Sequence, residues 1–341
     1  MKLSVTSFAK DFLGFVLLIM FLGLFFTIDF FKSDERFITI PESWLSVNTI
    51  FLSIVLEAIP FILLGVFVSA LIQIFVKEDL LHRYLPANAY MALVPAAILG
   101  AIFPICECAI VPIVRRLIKK GMPLHVGVVF LVAAPILNPV VAASTYFAFR
   151  TDLTILYTRM GLAFVLAIVI GGILYVIFKN SDQLKWTKDE MVGKQIIIDE
   201  NGPKKMNRLK QTLYHASDEF FLMGKYLIIG AFIASLFQAF LDRSVLLAIG
   251  SNEWSSTAVM MAFAYLLSLC SEADAFVAAS FGSTFSTGSL IAFLVYGPML
   301  DLKNTIMLLA FFKTKFVLTF IAVVTGVVFV SVMIVQWTIL S

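Results

Sequence analysis

The 341-residue chain is 61% hydrophobic and 14% charged, with mean hydropathy +0.99. Soluble domains run at roughly 45–50% apolar and about 25% charged, so this composition excludes a soluble enzyme, a nucleic-acid binder and a disordered chain. A net charge of +3, from 25 basic and 22 acidic residues, is too small for polyanion binding, and three cysteines are too few for a disulfide framework. At about 20 residues per crossing the length allows roughly seven to ten membrane segments. The composition predicts an all-α, polytopic integral membrane protein whose first partner is the lipid bilayer.

Nearly continuous apolar runs occupy residues 11–31, 47–76, 90–113, 122–149, 155–178, 218–241, 255–281, 288–312 and 316–338. The first follows Lys2 and Lys10 like a signal peptide, but it is long and ends at Asp29-Phe-Phe-Lys32 with no small-residue cleavage site. Residues 1–45 therefore read as a retained signal-anchor helix and an external loop. The polar segment 179–217 carries eight Lys/Arg residues and is too short for a core of its own. It reads as a linker, with a small turn around Gln195–Gly202.

An internal repeat organises the remaining runs. Gly65-Val-Phe-Val-Ser-Ala-Leu-Ile-Gln-Ile-Phe75 matches Gly230-Ala-Phe-Ile-Ala-Ser-Leu-Phe-Gln-Ala-Phe240 at an offset of 165. The same offset superposes Cys106-Glu-Cys108 on Ser271-Glu-Ala273. After a two-residue slip, Ala134-Pro-Ile-Leu-Asn138 falls on Gly297-Pro-Met-Leu-Asp301. This predicts one repeat over 46–178 and a second over 218–341.

The positive-inside rule assigns their relation. If 90–113 is a re-entrant hairpin, cytoplasmic segments hold 18 of the 25 cations, including Arg115, Arg116, Lys119, Lys120, Lys313 and Lys315. Outside segments hold Lys32, Arg36, Arg150, Arg159 and Arg243. Each half then has three crossings and one hairpin, and an odd number of crossings inverts the second half. The loop Arg115-Arg-Leu-Ile-Lys-Lys-Gly121 and its uncharged counterpart Phe281–Gly288 differ as loops on opposite faces should. The expectation is two inverted-topology repeats behind an extra N-terminal helix, in the cell membrane, with the N-terminus and linker cytoplasmic. Full spans at 90–113 and 255–281 would instead give nine crossings.

Glu57, Glu107, Asn138, Lys225, Glu272, Asp274, Asp301 and Lys303 lie inside apolar runs. An ionised group at the bilayer centre costs about 2.5–3.5 kcal/mol on insertion scales, so such groups point to a pathway. The alternative is a buried pair, such as Asp301 with Lys303 or Lys225, that only pins helices. Pro104 and Pro112 bracket Cys106-Glu107-Cys108, Pro135 and Pro139 bracket Asn138, and Gly297-Pro298 precedes Asp301, with Asn304 just beyond. Proline removes a helix hydrogen bond, and paired interrupted segments in two halves point to a midplane transport site. Cys106, Cys108 and Cys270 all fall in the two hairpins; thiolates favour soft ions, whereas packing is the alternative role for cysteine in membrane helices. No P-loop or His-Glu-x-x-His motif occurs, and no cofactor is expected.

Cys106-Glu-Cys-Ala-Ile-Val-Pro112, Ala133-Ala-Pro-Ile-Leu-Asn-Pro139, Cys270-Ser-Glu-Ala-Asp-Ala275 and Gly297-Pro-Met-Leu-Asp-Leu-Lys-Asn304 resemble the predicted permeases of the YraQ type over about residues 45–340. Relatives of the ArsP type export trivalent organoarsenicals. The resemblance implies a permease fold, transport of a small molecule or ion rather than enzymatic activity, and room for a second membrane subunit. The family's first hairpin commonly reads Cys-x-Cys followed by a small residue, and here Glu107 fills the middle position. A non-transporting subunit of a two-protein complex is the alternative reading.

Overall fold

A computed structural model describes residues 42–75, 90–103, 105–179, 181, 183–185, 208–240 and 252–338. The predicted N-terminal helix, the turn around Gln195–Gly202 and Pro104 lie outside the described residues. The first half comprises α1 (Glu42–Phe75), α2 (Leu93–Ile102), α3 (Glu107–Lys119), α4 (Leu124–Leu137), α5 (Pro139–Ala148) and α6 (Leu153–Phe178). The second comprises α7 (Arg208–Phe240), α8 (Glu253–Leu267), α9 (Asp274–Ser280), α10 (Thr287–Met299), α11 (Leu302–Phe311) and α12 (Thr314–Thr338). The protein is all-α: among the described residues the sole β contact is an isolated antiparallel bridge between Leu184 and Phe312.

Six helical stretches are long and apolar enough to cross a membrane, three in each half: 43–72, 124–148, 153–178, 219–240, 287–311 and 314–338. Neither hairpin region is among them; α2 and α3 span 10 and 13 residues, roughly 15–20 Å each, about half a bilayer.

Two of the crossings are broken at equivalent points. Asn138 has an extended backbone between α4 and α5, and its Oδ1 accepts a hydrogen bond from Val141 N at 2.9 Å. Asp301 does the same between α10 and α11, accepting from Asn304 N. Pro135 lies in the last turn of α4, Pro139 starts α5, and Gly297-Pro298 lies in the last turn of α10. Each proline withholds an amide from the preceding turn, which weakens the helix where it stops. Pro112 differs: it sits inside α3 and breaks nothing, because the first turns of that helix continue through it.

Side-chain contacts fix the direction of each element. Trp44 meets Phe240, Phe51 meets Phe232 and Ser69 meets Glu219, so the equivalent helices α1 and α7 run antiparallel. Tyr90, just before α2, meets Tyr175 edge to face beside Lys179 at the end of α6. Arg115, near the end of α3, lies over the Phe311 ring at 4.5 Å, and Phe178 meets Phe316. The first hairpin therefore enters and leaves at one end of the bundle, which carries Arg115, Arg116, Lys119, Lys120, Lys313 and Lys315. At the other end, Ser256 meets Ser289 at 2.7 Å, Trp254 meets Phe329, and Gln336 occupies the space beside Gly288. The second hairpin opens there.

Two glycines from the repeated motif explain how the hairpin region is enclosed. A Cβ on Gly65 would lie 2.7–2.8 Å from Ala109 atoms of α3, and one on Gly230 would lie 3.1 Å from Cα of Lys303. Each long helix is pressed onto backbone at the same point of its repeat. The basic end of α3 closes with Gly121 in the left-handed region at φ 101°, where its amide reaches Ile118 O and that of Met122 reaches Leu117 O. The start of the linker is tied in too. Lys185 N and Nζ donate to Phe311 O and Leu309 O, both at 2.7 Å, capping the last carbonyls of α11.

Candidate transport site

Where α8 ends, Ser268 adopts the left-handed conformation at φ 48°, a cost that a non-glycine residue accepts mainly at functional or tightly held positions. Its carbonyl accepts a hydrogen bond from Lys303 Nζ at 3.3 Å, and its hydroxyl accepts from Lys303 N at 3.4 Å. The same ammonium donates to Glu107 Oε1 at 3.2 Å and lies 3.6 Å from Asp301 Oδ2. Glu107, Asp301 and Lys303 are 1%, 1% and 3% exposed. Glu107 is the first residue of α3, where the helix dipole favours an anion. One buried cation thus holds the tips of both hairpins and the broken crossing together. One oxygen of each acid, Glu107 Oε2 and Asp301 Oδ2, has no hydrogen-bond donor, and neither has Asn304 Oδ1.

Beside this cluster lies a cavity of about 250 Å³, room for roughly eight waters at about 30 Å³ each. Cys106, Glu107 and Cys108 line it from the first hairpin, Ser268, Leu269 and Cys270 from the second, and Lys303 from α11. All three thiols of the chain face one space. Thr49, Ser53 and Glu57 of α1 add a polar stripe at four-residue spacing, and Gln238 of α7 completes the wall while donating to Leu267 O. The stripe is exposed and belongs to the half of α1 nearest Trp44, so the exposed wall of the cavity lies in the half of the bundle away from the basic residues.

The other predicted pathway residues lie elsewhere. Asn138 is fully buried as a cap, its Nδ2 donating to Ala134 O and Pro135 O at 3.3 and 3.5 Å. Asp301 and Asn304 stand behind Lys303, and Glu272 is partly exposed and off the cavity wall. Asp274 joins a second ion pair. Arg159 NH2 donates to both of its oxygens at 3.0 and 2.9 Å and to Ser271 O at 3.3 Å, while NH1 donates to Thr145 Oγ1 at 2.7 Å.

Arg159 corrects the sequence reading, which placed it in an outside segment: it is 0% exposed on α6. Its position inside the apolar run 155–178 was the signal that marks it as an intramembrane charge. Lys225, the other suggested partner of Asp301, is exposed on α7. The stripe Thr49-Ser53-Glu57 was also readable as a helical i, i+4, i+8 pattern. Among the described residues no group of three or more His, Cys, Asp or Glu side chains is disposed to hold a metal ion. The thiols line a space without forming a closed centre.

The family model described as a predicted permease, ArsP_1, matches residues 43–337. The chain belongs to this permease family. The matched region takes in all twelve described helices but for the first residue of α1 and the last of α12, and so includes both hairpins and the Lys303 cluster. Among curated relatives, the UPF0718 protein YcgR of Bacillus subtilis is 48% identical over 304 residues, covering 87% of this chain and 99% of its own. A protein of Streptococcus mutans, described by name as a candidate subunit of a two-component membrane permease complex, is 38% identical over 301 residues, covering 87% and 97%. No solved structure matches the chain.

Proposed function

We propose that this permease-family protein is a secondary transporter that moves a small, thiophilic solute through the cavity between its two hairpins, most simply outward across the cell membrane. The observation that carries the reading is the cavity itself. It lies where two hairpin tips meet a broken crossing, and it presents three thiols, two carboxylates and one ammonium. Buried charges at such a place mark solute or ion pathways. Transport, not catalysis, is the use this geometry supports.

The proposed architecture is a pair of inverted repeats with the basic end in the cytoplasm. The antiparallel course of α1 and α7 and the opening of the hairpins at opposite ends support it. With the cavity's exposed wall in the other half of the bundle, we read this conformation as outward-facing. The name of the Streptococcus mutans relative supports a second membrane subunit, which co-purification at fixed stoichiometry would reveal.

In a deletion strain, challenge with zinc, copper, cadmium, arsenite and methylated arsenicals should expose sensitivity to at least one thiophilic agent. The wild-type chain should restore resistance, and a chain with Cys106, Cys108 and Cys270 all changed to Ser should not. Restoration by the serine variant would reduce the thiols to packing residues.

A further inference from the structure

We infer that Glu219, with Ser69 and Arg116, is the gate that closes the cavity at the basic end. The inference rests on the permease reading and adds to it the element that must yield for the second access state. Glu219 lies on α7 and is 4% exposed. Its Oε2 accepts from Ser69 Oγ on α1 at 2.8 Å and from Arg116 NH2 on α3 at 3.1 Å, while Arg115 NH1 stands 4.0 Å from Oε1. One carboxylate thus ties together α1, α3 and α7, each of which contributes to the cavity wall.

The position is that of a floor. On α3, Arg116 stands nine residues beyond Glu107, about 14 Å along the helix. Between them Gly65 presses on Ala109, so backbone contact closes the space just below the cavity and the polar clamp closes the end. The repeat equivalents at an offset of 165 are apolar at the opposite end: Ile54 corresponds to Glu219 and Ala234 to Ser69. There α1 and α7 meet through an apolar cluster of Phe51, Ile54, Val55, Ala231 and Ala234, with Phe232 against Phe51 and Phe240 against Trp44. The two ends of the same helix pair are therefore held by different forces. A set of charge-assisted hydrogen bonds can exchange its partners for water when it meets the aqueous side, whereas an apolar contact gains nothing from doing so.

Because α3 carries Cys106 and Cys108 at its start, the native thiols report on the gate. In membrane vesicles of known orientation, a membrane-impermeant thiol reagent should label the wild type faster from the end where α1 begins. Glu219→Gln should raise the labelling rate from the basic end by about tenfold, the shift in an equilibrium expected when one charge-assisted hydrogen bond is lost. Ser69→Ala, which removes one hydroxyl and leaves the ion pair, should give a smaller rise in the same direction. Unchanged basic-end labelling in both folded variants would overturn the gate. If labelling shifts yet no tested solute is transported, the gate stands and the permease reading falls. If solute flux persists with labelling unmoved, the permease reading stands without the gate.

Discussion

Lys303→Met should destabilise the protein by about 3–5 kcal/mol, the range for removing one partner of a buried ion pair. The ammonium is the cation within 4 Å of both Glu107 and Asp301, so its loss leaves two buried carboxylates against each other. The loss should be recoverable in steps. Lys303→Met with Glu107→Gln removes one unpaired charge and should restore part of the stability. Adding Asp301→Asn, which keeps an oxygen to cap α11, should restore most of the remainder. Thermal unfolding of the purified variants in one detergent measures the series. Equal stability of the single and triple variants would show that Lys303 does not neutralise this cluster.

Arg159→Met should cost a similar amount, again about 3–5 kcal/mol, although it touches no cavity wall. Its planar guanidinium fork spans two partners: NH2 donates to both oxygens of Asp274 and to Ser271 O, and NH1 donates to Thr145 Oγ1. Arg159→Lys keeps the charge but cannot reproduce that planar fork, so it should fall between wild type and Arg159→Met. The double variant Arg159→Met with Asp274→Asn should recover stability, because no buried charge is left alone. Indistinguishable stability of Arg159→Lys and wild type would remove the geometric part of the argument.

The two clusters show what a sequence can and cannot reveal. The broken crossings were legible where a proline pair or a Gly-Pro step flanks a polar residue, as Pro135 and Pro139 do Asn138 and Gly297-Pro298 does Asp301, whereas Pro60 and Pro112 sit inside continuous helices. Gly65 and Gly230 were legible as a repeat, and close backbone approach supplies their physical reason. Of the charge pairings, Asp301 with Lys303, two residues apart, was legible, and the long-range ones were not. Glu107 and Lys303 are 196 residues apart, and Arg159 and Asp274 are 115 apart, distances at which no local periodicity carries information.

The repeat itself was a misleading guide to pairing. It equates Glu107 with Glu272, yet only Glu107 is buried with a cation. Helix starts offset by 163 residues place Val140 opposite Lys303, and those offset by 161 place Phe320 opposite Arg159. Neither cation has a counterpart in the other half, so the two hairpin tips face different chemistry. At the second tip the buried ion pair falls to Asp274, two residues further along. The order of the helices recurs between the halves, whereas the charges do not.

The most direct test of the central claim is solute flux in proteoliposomes containing the purified full-length chain, with arsenite, methylated arsenicals and cadmium as probes. The wild type should move at least one of them, and Glu107→Gln should stop that movement while remaining folded. Its residual flux should be at least about tenfold lower, as expected when a charged contact in the pathway is lost. Flux of the same solute at the wild-type rate through Glu107→Gln would contradict the assignment of the cavity as the path.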